Sequence, residues 1–389
     1  MPPRKPTYEL ESAARAERID LELDAAGWVL PSPQLRPLHG PYRTVEETTD
    51  NGPADYALWL NGEVVGVIEA KKVTLGPQNV LWQAERYARG LRNPKFNFDS
   101  LGCPFLYSTN GSVTWFHDVR RPLNRARQVA GFHTPNAFRE MFSRDFDAAC
   151  DNMLHLPHDH PRLRPYQKEA NARVEKAIAA RNRSLLVAMA TETGKTFTIV
   201  NQIYRLMKAG VGKRILFLVD RRALVAQAVR DFSAFDAESG QKFNQIYEVY
   251  SSPFQTEDFG DEEKFDAKVM PQSYLTDPQS GYTFVFVATI QRIAMNVLGR
   301  KAIFGFGEEL IENGADRLDI PIHAFDVIIA DECHRGYTSQ EITTWRQTLD
   351  HFDGIKIGFT ATPAAHTNAY FTHKVFEFGV CPEVRGDRR

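Results

Sequence analysis

Hydrophobic and polar positions change rhythm twice along the chain. Residues 9 to 27 place apolar side chains at helical spacing and stop at Gly27, a residue suited to ending a helix. Two strand-like runs follow, Ala54 to Leu60 and Val64 to Lys71, separated by Asn61-Gly62, which predicts a hairpin. Residues 79 to 92 return to helical spacing, with Val80, Ala84, Tyr87, Ala88 and Leu91 near one face. From Cys150 to Pro165 the periodicity fades and His and Pro accumulate, which predicts a connector over 151–163 with His155, His158 and His160 solvated. Beyond it, uninterrupted apolar runs alternate with helical stretches: Leu185 to Ala190, Ile215 to Val219, Phe284 to Ala288, Val327 to Ala330 and Ile355 to Phe359. Such runs predict strands covered on both faces, hence a parallel sheet. The stretch from Ser251 to Gly281, acidic between Glu257 and Glu263, predicts a long surface insertion. The expectation is an α/β protein with one domain over 1–150 and a second over 164–389.

Composition narrows this picture only a little. At 389 residues and 43% hydrophobic content the chain can bury two cores. A formal net charge of -2 gives no global basic field, so any nucleic-acid surface has to be a local patch. Cys103, Cys150, Cys333 and Cys381 lie far apart without paired spacing, which argues against a structural zinc site and suits a reducing, cytoplasmic setting. The first ten residues are polar and no eighteen apolar residues run together, so no membrane partner is expected.

The strand Leu185 to Ala190 leads through Thr191-Glu192-Thr193-Gly194-Lys195-Thr196 into a helix, Phe197 to Lys208, closed near Gly210. This is the setting of a phosphate loop, in which backbone N–H groups at Thr193 and Gly194 and the helix start cradle phosphate, Lys195 adds a point charge and the Thr196 hydroxyl ligates Mg2+. A second buried strand delivers Asp331-Glu332-Cys333-His334 at its carboxyl end. Asp331 there suits magnesium and Glu332 suits polarising a water. With Leu163-Arg164-Pro165-Tyr166-Gln167, Val219-Asp220-Arg221-Arg222, Ala288-Thr289-Ile290-Gln291 and Phe359-Thr360-Ala361-Thr362-Pro363 in order, the second half resembles superfamily 2 helicases and translocases. The resemblance implies a RecA-like sheet that uses ATP and Mg2+. It also implies that Gln167 reads adenine, that Arg221, Arg222 and Thr289 lie toward a DNA backbone, and that Thr360 to Thr362 transmit the nucleotide state. Glu192 stands where such motors carry glycine; its charge and a φ held below zero are expected to weaken ATP binding. The family's second RecA-like half lies outside these residues, so vigorous hydrolysis or translocation is not expected of the chain by itself.

In the first half, Glu69 and Lys71 share a strand face and Asp55 begins the preceding strand. Two carboxylates holding Mg2+ and an amine stabilising developing charge are what phosphodiester hydrolysis needs. Register decides whether they meet. A three-residue loop, Asn61-Gly62-Glu63, pairs Leu60 with Val64 and sets Asp55 opposite Glu69, whereas a two-residue turn sends them to opposite faces. The function therefore predicts the longer loop. Gln83 and Tyr87, four apart on the next helix, share a face that can turn toward the acids. Asp55, Glu69-x-Lys71 and Gln83-x-x-x-Tyr87 in this order resemble the PD-(D/E)xK nucleases.

A PD-(D/E)xK domain followed directly by such a motor resembles the restriction and translocation subunit of type I restriction endonucleases. That likeness implies ATP-dependent translocation on double-stranded DNA coupled to metal-dependent cleavage, partnered by methyltransferase and specificity subunits, with Glu11 on the first helix approaching the metal. Two other readings compete: a superfamily 2 repair or remodelling motor with an inactive nuclease-like domain, and a non-catalytic DNA or subunit-docking module.

Overall fold

The structure, a computed structural model, describes residues 18–32, 40–71, 81–238, 240–253, 268–299, 316–333 and 338–379. The chain divides into two compact units, Met1–Ser143 and Arg144–Arg389.

In the first unit a short helix, α1 (Asp20–Ala25), precedes strands β1 (Tyr42–Thr49), β2 (Gly52–Leu60) and β3 (Glu63–Ala70). Helix α2 (Leu81–Arg89) follows, then β4 (Phe105–Thr109), β5 (Thr114–Asp118), β6 (Arg127–Val129) and helix α3 (Pro135–Ser143). Among the described residues the strands form one sheet in sequential order, antiparallel except for β3 beside β4. That one parallel pair needs a crossover, and α2 lies on it. Alternation along β4 divides the core between the sheet's faces. Leu106 joins Val67 and the Leu81, Ala84 and Ala88 side of α2. Phe105 stacks instead on Phe138 of α3 at 4.1 Å.

The second unit opens with helices α4 (Phe146–His155) and α5 (Pro165–Ala179), then β7 (Ser184–Met189), α6 (Lys195–Ala209), β8 (Arg214–Val219) and α7 (Arg222–Ala234). A small antiparallel pair, β9 (Asp236–Glu238) and β10 (Gln241–Lys242), leads into α8 (Phe243–Ile246), β11 (Glu248–Ser251), β12 (Lys268–Val269) and α9 (Gln272–Thr276). The remainder is β13 (Phe284–Thr289), α10 (Ile290–Leu298), β14 (Val327–Ala330), α11 (Ser339–Asp350), β15 (Ile355–Thr360), α12 (Ala365–Tyr370) and β16 (His373–Phe378). Its main sheet runs β12-β11-β13-β8-β14-β15-β7-β16, and every neighbouring pair is parallel. The expected α/β class therefore holds, and the five strands expected from uninterrupted apolar runs are the five central ones.

Three expectations need correction. The units divide at Ser143 rather than at 150, because Ala149, Cys150 and Met153 of α4 are buried in the second unit's core. The three histidines His155, His158 and His160 are not all solvated. The buried Arg205 guanidinium gathers the segment by donating to Leu156 O at 3.0 Å and Pro157 O at 2.7 Å, while its Nε bonds Glu175 at 2.6 Å. His158 lies 3.3 Å from the same carboxylate, and the His160 ring stacks on Phe235 at 4.9 Å; His155 alone of the three is exposed, beside Asp151. In the expected insertion, residues 254–267 lie outside the described residues, and residues 268–276 supply an edge strand, β12, and the helix α9 with Leu275 buried. Among the described residues no helix is long and apolar enough to cross a membrane. Cys103, Cys150 and Cys333 are free and buried, while Cys381 lies outside the described residues.

Candidate functional sites

The hairpin turn is the two-residue one. Asn61 and Gly62 both take positive φ, 53° and 81°, the primed-turn geometry that Asn-Gly favours, and Leu60 pairs with Glu63. That contradicts the three-residue loop, yet the acids still meet. Trp59 pairs with Val64 and Leu58 with Gly66, so Val65 is an extra residue, and this β-bulge shifts the register by one. Tyr56 then pairs with Ile68, and one step further Asp55 faces Glu69.

Both carboxylates are buried, with Glu69 only 4% exposed. Asp55 Oδ2 accepts the Ala70 N–H at 2.7 Å, and Lys71 Nζ donates to Glu69 Oε1. Burial first, then the Asp55 charge, pushes the Glu69 carboxyl up to about 7, against the pull of Lys71. Among the described residues Glu69 Oε2 has no hydrogen-bond partner, and neither does Ser108 Oγ, on the β4 residue that pairs with Glu69. A buried acceptor left unpaired costs about 1–3 kcal/mol. A divalent cation between Asp55 and Glu69 would remove that cost, so the donor set fits one. Tyr87 is half-buried, its phenol raised by burial and then by the charges of Glu69 and Asp55. Gln83 lies one turn earlier on α2, also half-buried. Glu11 lies outside the described residues. Ser108 escaped the sequence reasoning because only the parallel pairing of β3 with β4 brings it to Glu69.

In the second unit β7 and β14 flank β15, and their carboxyl ends bring the phosphate loop to the acids. Lys195 Nζ bonds Glu332 Oε1 and lies 3.3 Å from Asp331 Oδ1. Burial raises the Asp331 carboxyl; Lys195 opposes the shift and Glu332 adds to it. Gly194 adopts φ 75°, and a Cβ there would lie 2.6 Å from Gln167 Nε2. Gln167 braces the loop, donating from Nε2 to Thr193 O at 3.0 Å and Gly194 O at 3.1 Å while its Oε1 accepts the Arg164 N–H. Thr193 Oγ1 donates to Ala190 O at 2.6 Å, and Thr196 sits half-buried in the first turn of α6.

Glu192 overturns one expectation. Its φ is 62°, so the loop is not held below zero; the glutamate occupies the left-handed region that glycine favours. Glu332 does the same at φ 50°. Thr289 is buried, and its hydroxyl accepts the Arg292 N–H at 3.2 Å as the N-cap of α10. Arg221 is exposed beside Asp220, and Arg222 begins α7. Thr360 is buried, its hydroxyl accepting the Thr362 N–H at 3.2 Å. His334 lies outside the described residues.

A phosphate-type loop and an Asp-Glu pair at the carboxyl ends of one parallel sheet define a helicase-like nucleotide-binding unit. The chain belongs to the family described as type III restriction enzyme, res subunit, whose model matches residues 160–365. Residues 34–142 match the second domain of the type I restriction enzyme EcoKI endonuclease subunit. The chain is 29% identical to the EcoKI endonuclease subunit of Escherichia coli K12, over 96% of this chain and 34% of that protein. It is 28% identical to the EcoAI endonuclease subunit of Escherichia coli, over 80% of this chain and 33% of that protein. The chain thus spans about a third of the length of the curated relatives it matches. Among solved structures, a fragment from Vibrio vulnificus YJ016 assigned as the HsdR subunit of a type I restriction enzyme is 22% identical, covering 95% of this chain and 59% of that one, with a TM-score of 0.35.

Proposed function

We propose that the chain is part of the restriction subunit of a type I restriction-modification enzyme, with a magnesium-dependent DNA nuclease in its first unit and an ATP-binding motor half in its second. What carries the reading is Asp55 facing Glu69 through a bulge-corrected register, with Lys71 on the same edge and one Glu69 oxygen unsatisfied among the described residues.

In the first unit Asp55 and Glu69 would hold Mg2+, which when bound supplies a Lewis acid for the scissile phosphate and a more acidic water. Lys71, which donates to Glu69, would stabilise charge developing on a phosphate oxygen. Tyr87 and Gln83 line the approach along α2, and Glu11 is the remaining candidate acid. In the second unit Lys195 would pair with the phosphates of ATP, Thr196 and Asp331 would hold its magnesium, and Glu332 would orient water. Thr193 and Gly194 present backbone N–H groups to phosphate. Gln167 positions that loop and would read the adenine. Arg221 and Arg222 contact the backbone of double-stranded DNA. Methyltransferase and specificity subunits complete the complex in the cytoplasm.

Nicking of supercoiled DNA in Mg2+ tests the first site. Wild type cuts, and Asp55→Ala, Glu69→Ala and Lys71→Ala each lose at least about a hundredfold in rate. Equal traces of cutting in all four would assign the activity to a contaminant. Binding of a non-hydrolysable ATP analogue, abolished by Lys195→Ala, tests the second.

A further inference from the structure

Strand β4 brings one hydroxyl to the acid pair. The parallel β3–β4 register pairs Val67 with Leu106 and Glu69 with Ser108. Val67 and Leu106 belong to one core cluster against α2, so Glu69 and Ser108, each two residues further along its strand, share that face of the sheet. Neighbouring strands lie about 4.8 Å apart, which puts a serine hydroxyl within reach of a glutamate carboxylate in register with it. Ser108 is 0% exposed and Glu69 4%, and among the described residues Ser108 Oγ and Glu69 Oε2 have no hydrogen-bond partner. A hydroxyl donates and a carboxylate accepts, so each could supply what the other lacks.

The other side chains next to Ser108 on this face offer its hydroxyl no acceptor. Leu106, two residues before it, is apolar. Asn110, two residues after it, has its side-chain oxygen taken by the Ser112 N–H at 3.0 Å and the Val113 N–H at 2.9 Å. Trp115, its partner on β5, packs against the apolar cluster and carries only a donor. That leaves Glu69, whose Oε1 already accepts from Lys71. Each carboxylate oxygen carries two lone pairs, so Oε2 can accept one hydrogen bond and still face a cation. Carboxylates that hold metals are themselves held by hydrogen bonds, and losing such a bond typically weakens metal affinity about 10–100-fold.

We propose that Ser108 is a positioning residue of the nuclease site, its hydroxyl donating to Glu69 Oε2 in the loaded site and holding the carboxylate turned toward Asp55. This rests on the nuclease reading above. Glu69 is then gripped twice, by Lys71 from its own strand and by Ser108 from the next. Because Ser108 Oγ is unpartnered among the described residues, deleting it leaves the stability of the metal-free fold unharmed.

The test is Mn2+ binding to the whole chain by calorimetry, with thermal melting in chelator beside it. The step that belongs to the acid pair is the one that Glu69→Gln removes. Ser108→Ala weakens that step by about tenfold or more, while its melting temperature in chelator is no lower than that of wild type. Ser108→Thr and Ser108→Val are nearly equal in volume and differ in the hydroxyl, so any crowding by the added methyl is common to both. Ser108→Thr binds Mn2+ at least about tenfold more tightly than Ser108→Val. Equal affinity in those two variants, or wild-type affinity in Ser108→Ala, overturns the role of Ser108 and leaves the Asp55–Glu69 site standing. A Ser108→Ala chain that melts lower in chelator makes the hydroxyl a structural group and overturns it as well. Absence of any Glu69-dependent step in wild type overturns the nuclease reading and the role of Ser108 together.

Discussion

Replacing Glu192 separates two effects that the phosphate loop combines. The residue is exposed, its φ is 62°, and the turn is braced on both sides by the chain's own hydrogen bonds, from Thr193 to Ala190 O and from Gln167 to Thr193 O and Gly194 O. A left-handed backbone costs a residue with a Cβ roughly 1–2 kcal/mol. Because the turn is already set by those bonds, relieving the strain raises the stability of the unit and leaves nucleotide affinity nearly unchanged. Affinity responds instead to charge. At about 7 Å in water-like surroundings each unit of like charge costs about 0.6 kcal/mol, so against a magnesium-neutralised triphosphate the gain on removing it is about 1 kcal/mol, roughly fivefold in Kd. Titration calorimetry with an ATP analogue should then give the same tightening for Glu192→Gln and Glu192→Gly, fading at high salt. Thermal melting should separate the two, with only the glycine variant gaining about 1 kcal/mol. Wild-type affinity in Glu192→Gln at low salt would refute the charge argument, and identical melting of the two variants would refute the strain argument.

Glu69 titrates at about 7 in the folded chain against 4.5 as its ordinary value. The native state therefore holds the extra proton, and its contribution is complete below about pH 4.5 and is lost as pH rises through about 7, a few kcal/mol at most. Urea unfolding in chelator across this range should show the decline in wild type and a flatter profile in Glu69→Gln; equal slopes would contradict the assignment. Asp326 is largely shielded from solvent, yet Arg144, Arg214 and the backbone N–H groups of Arg214 and Lys213 overcome that desolvation and hold its carboxyl far below the usual range. Arg144→Met leaves this charge short of its 2.8 Å partner and should cost about 2–4 kcal/mol in urea unfolding, whereas a loss under about 0.5 kcal/mol would show that Arg214 suffices. A Cβ at Gly358 would lie 2.5 Å from Phe371 and 2.8 Å from Cys333 Sγ, so Gly358→Ala should lower stability by about 1–3 kcal/mol, measured in the same way.

The central strands of the second unit were legible because they are apolar on both faces, and β14 runs over the residues expected, Val327–Ala330. The edges were not. In β16 only Phe376 is buried, and β12 is two exposed residues, so neither carries the pattern of a covered strand. Helix α4 was missed for a related reason: its His-rich end looks like a connector until Arg205, distant in sequence, collects the carbonyls there. In the first unit the residue types of the acid site were visible, but the geometry that joins them was not. Turn chemistry at Asn61-Gly62 fixes a two-residue loop by itself, and a bulge at Val65 has no composition signal strong enough to announce it. Positive φ at Glu192 and Glu332 is likewise invisible in residue types that usually avoid it.

Val65 also makes the two ends of the hairpin independent of each other. Side chains between Trp59 and Val64 follow one phase of the pleat, and those from Leu58 and Gly66 toward the root follow the other. Remodelling the tip in ways that keep the extra residue leaves the root untouched. Losing a single residue between 63 and 66 would rotate one acid to the far side of the sheet while the apolar composition of the strand hardly changed. The chemistry of this domain thus hangs on chain length at one place more than on any side chain found there.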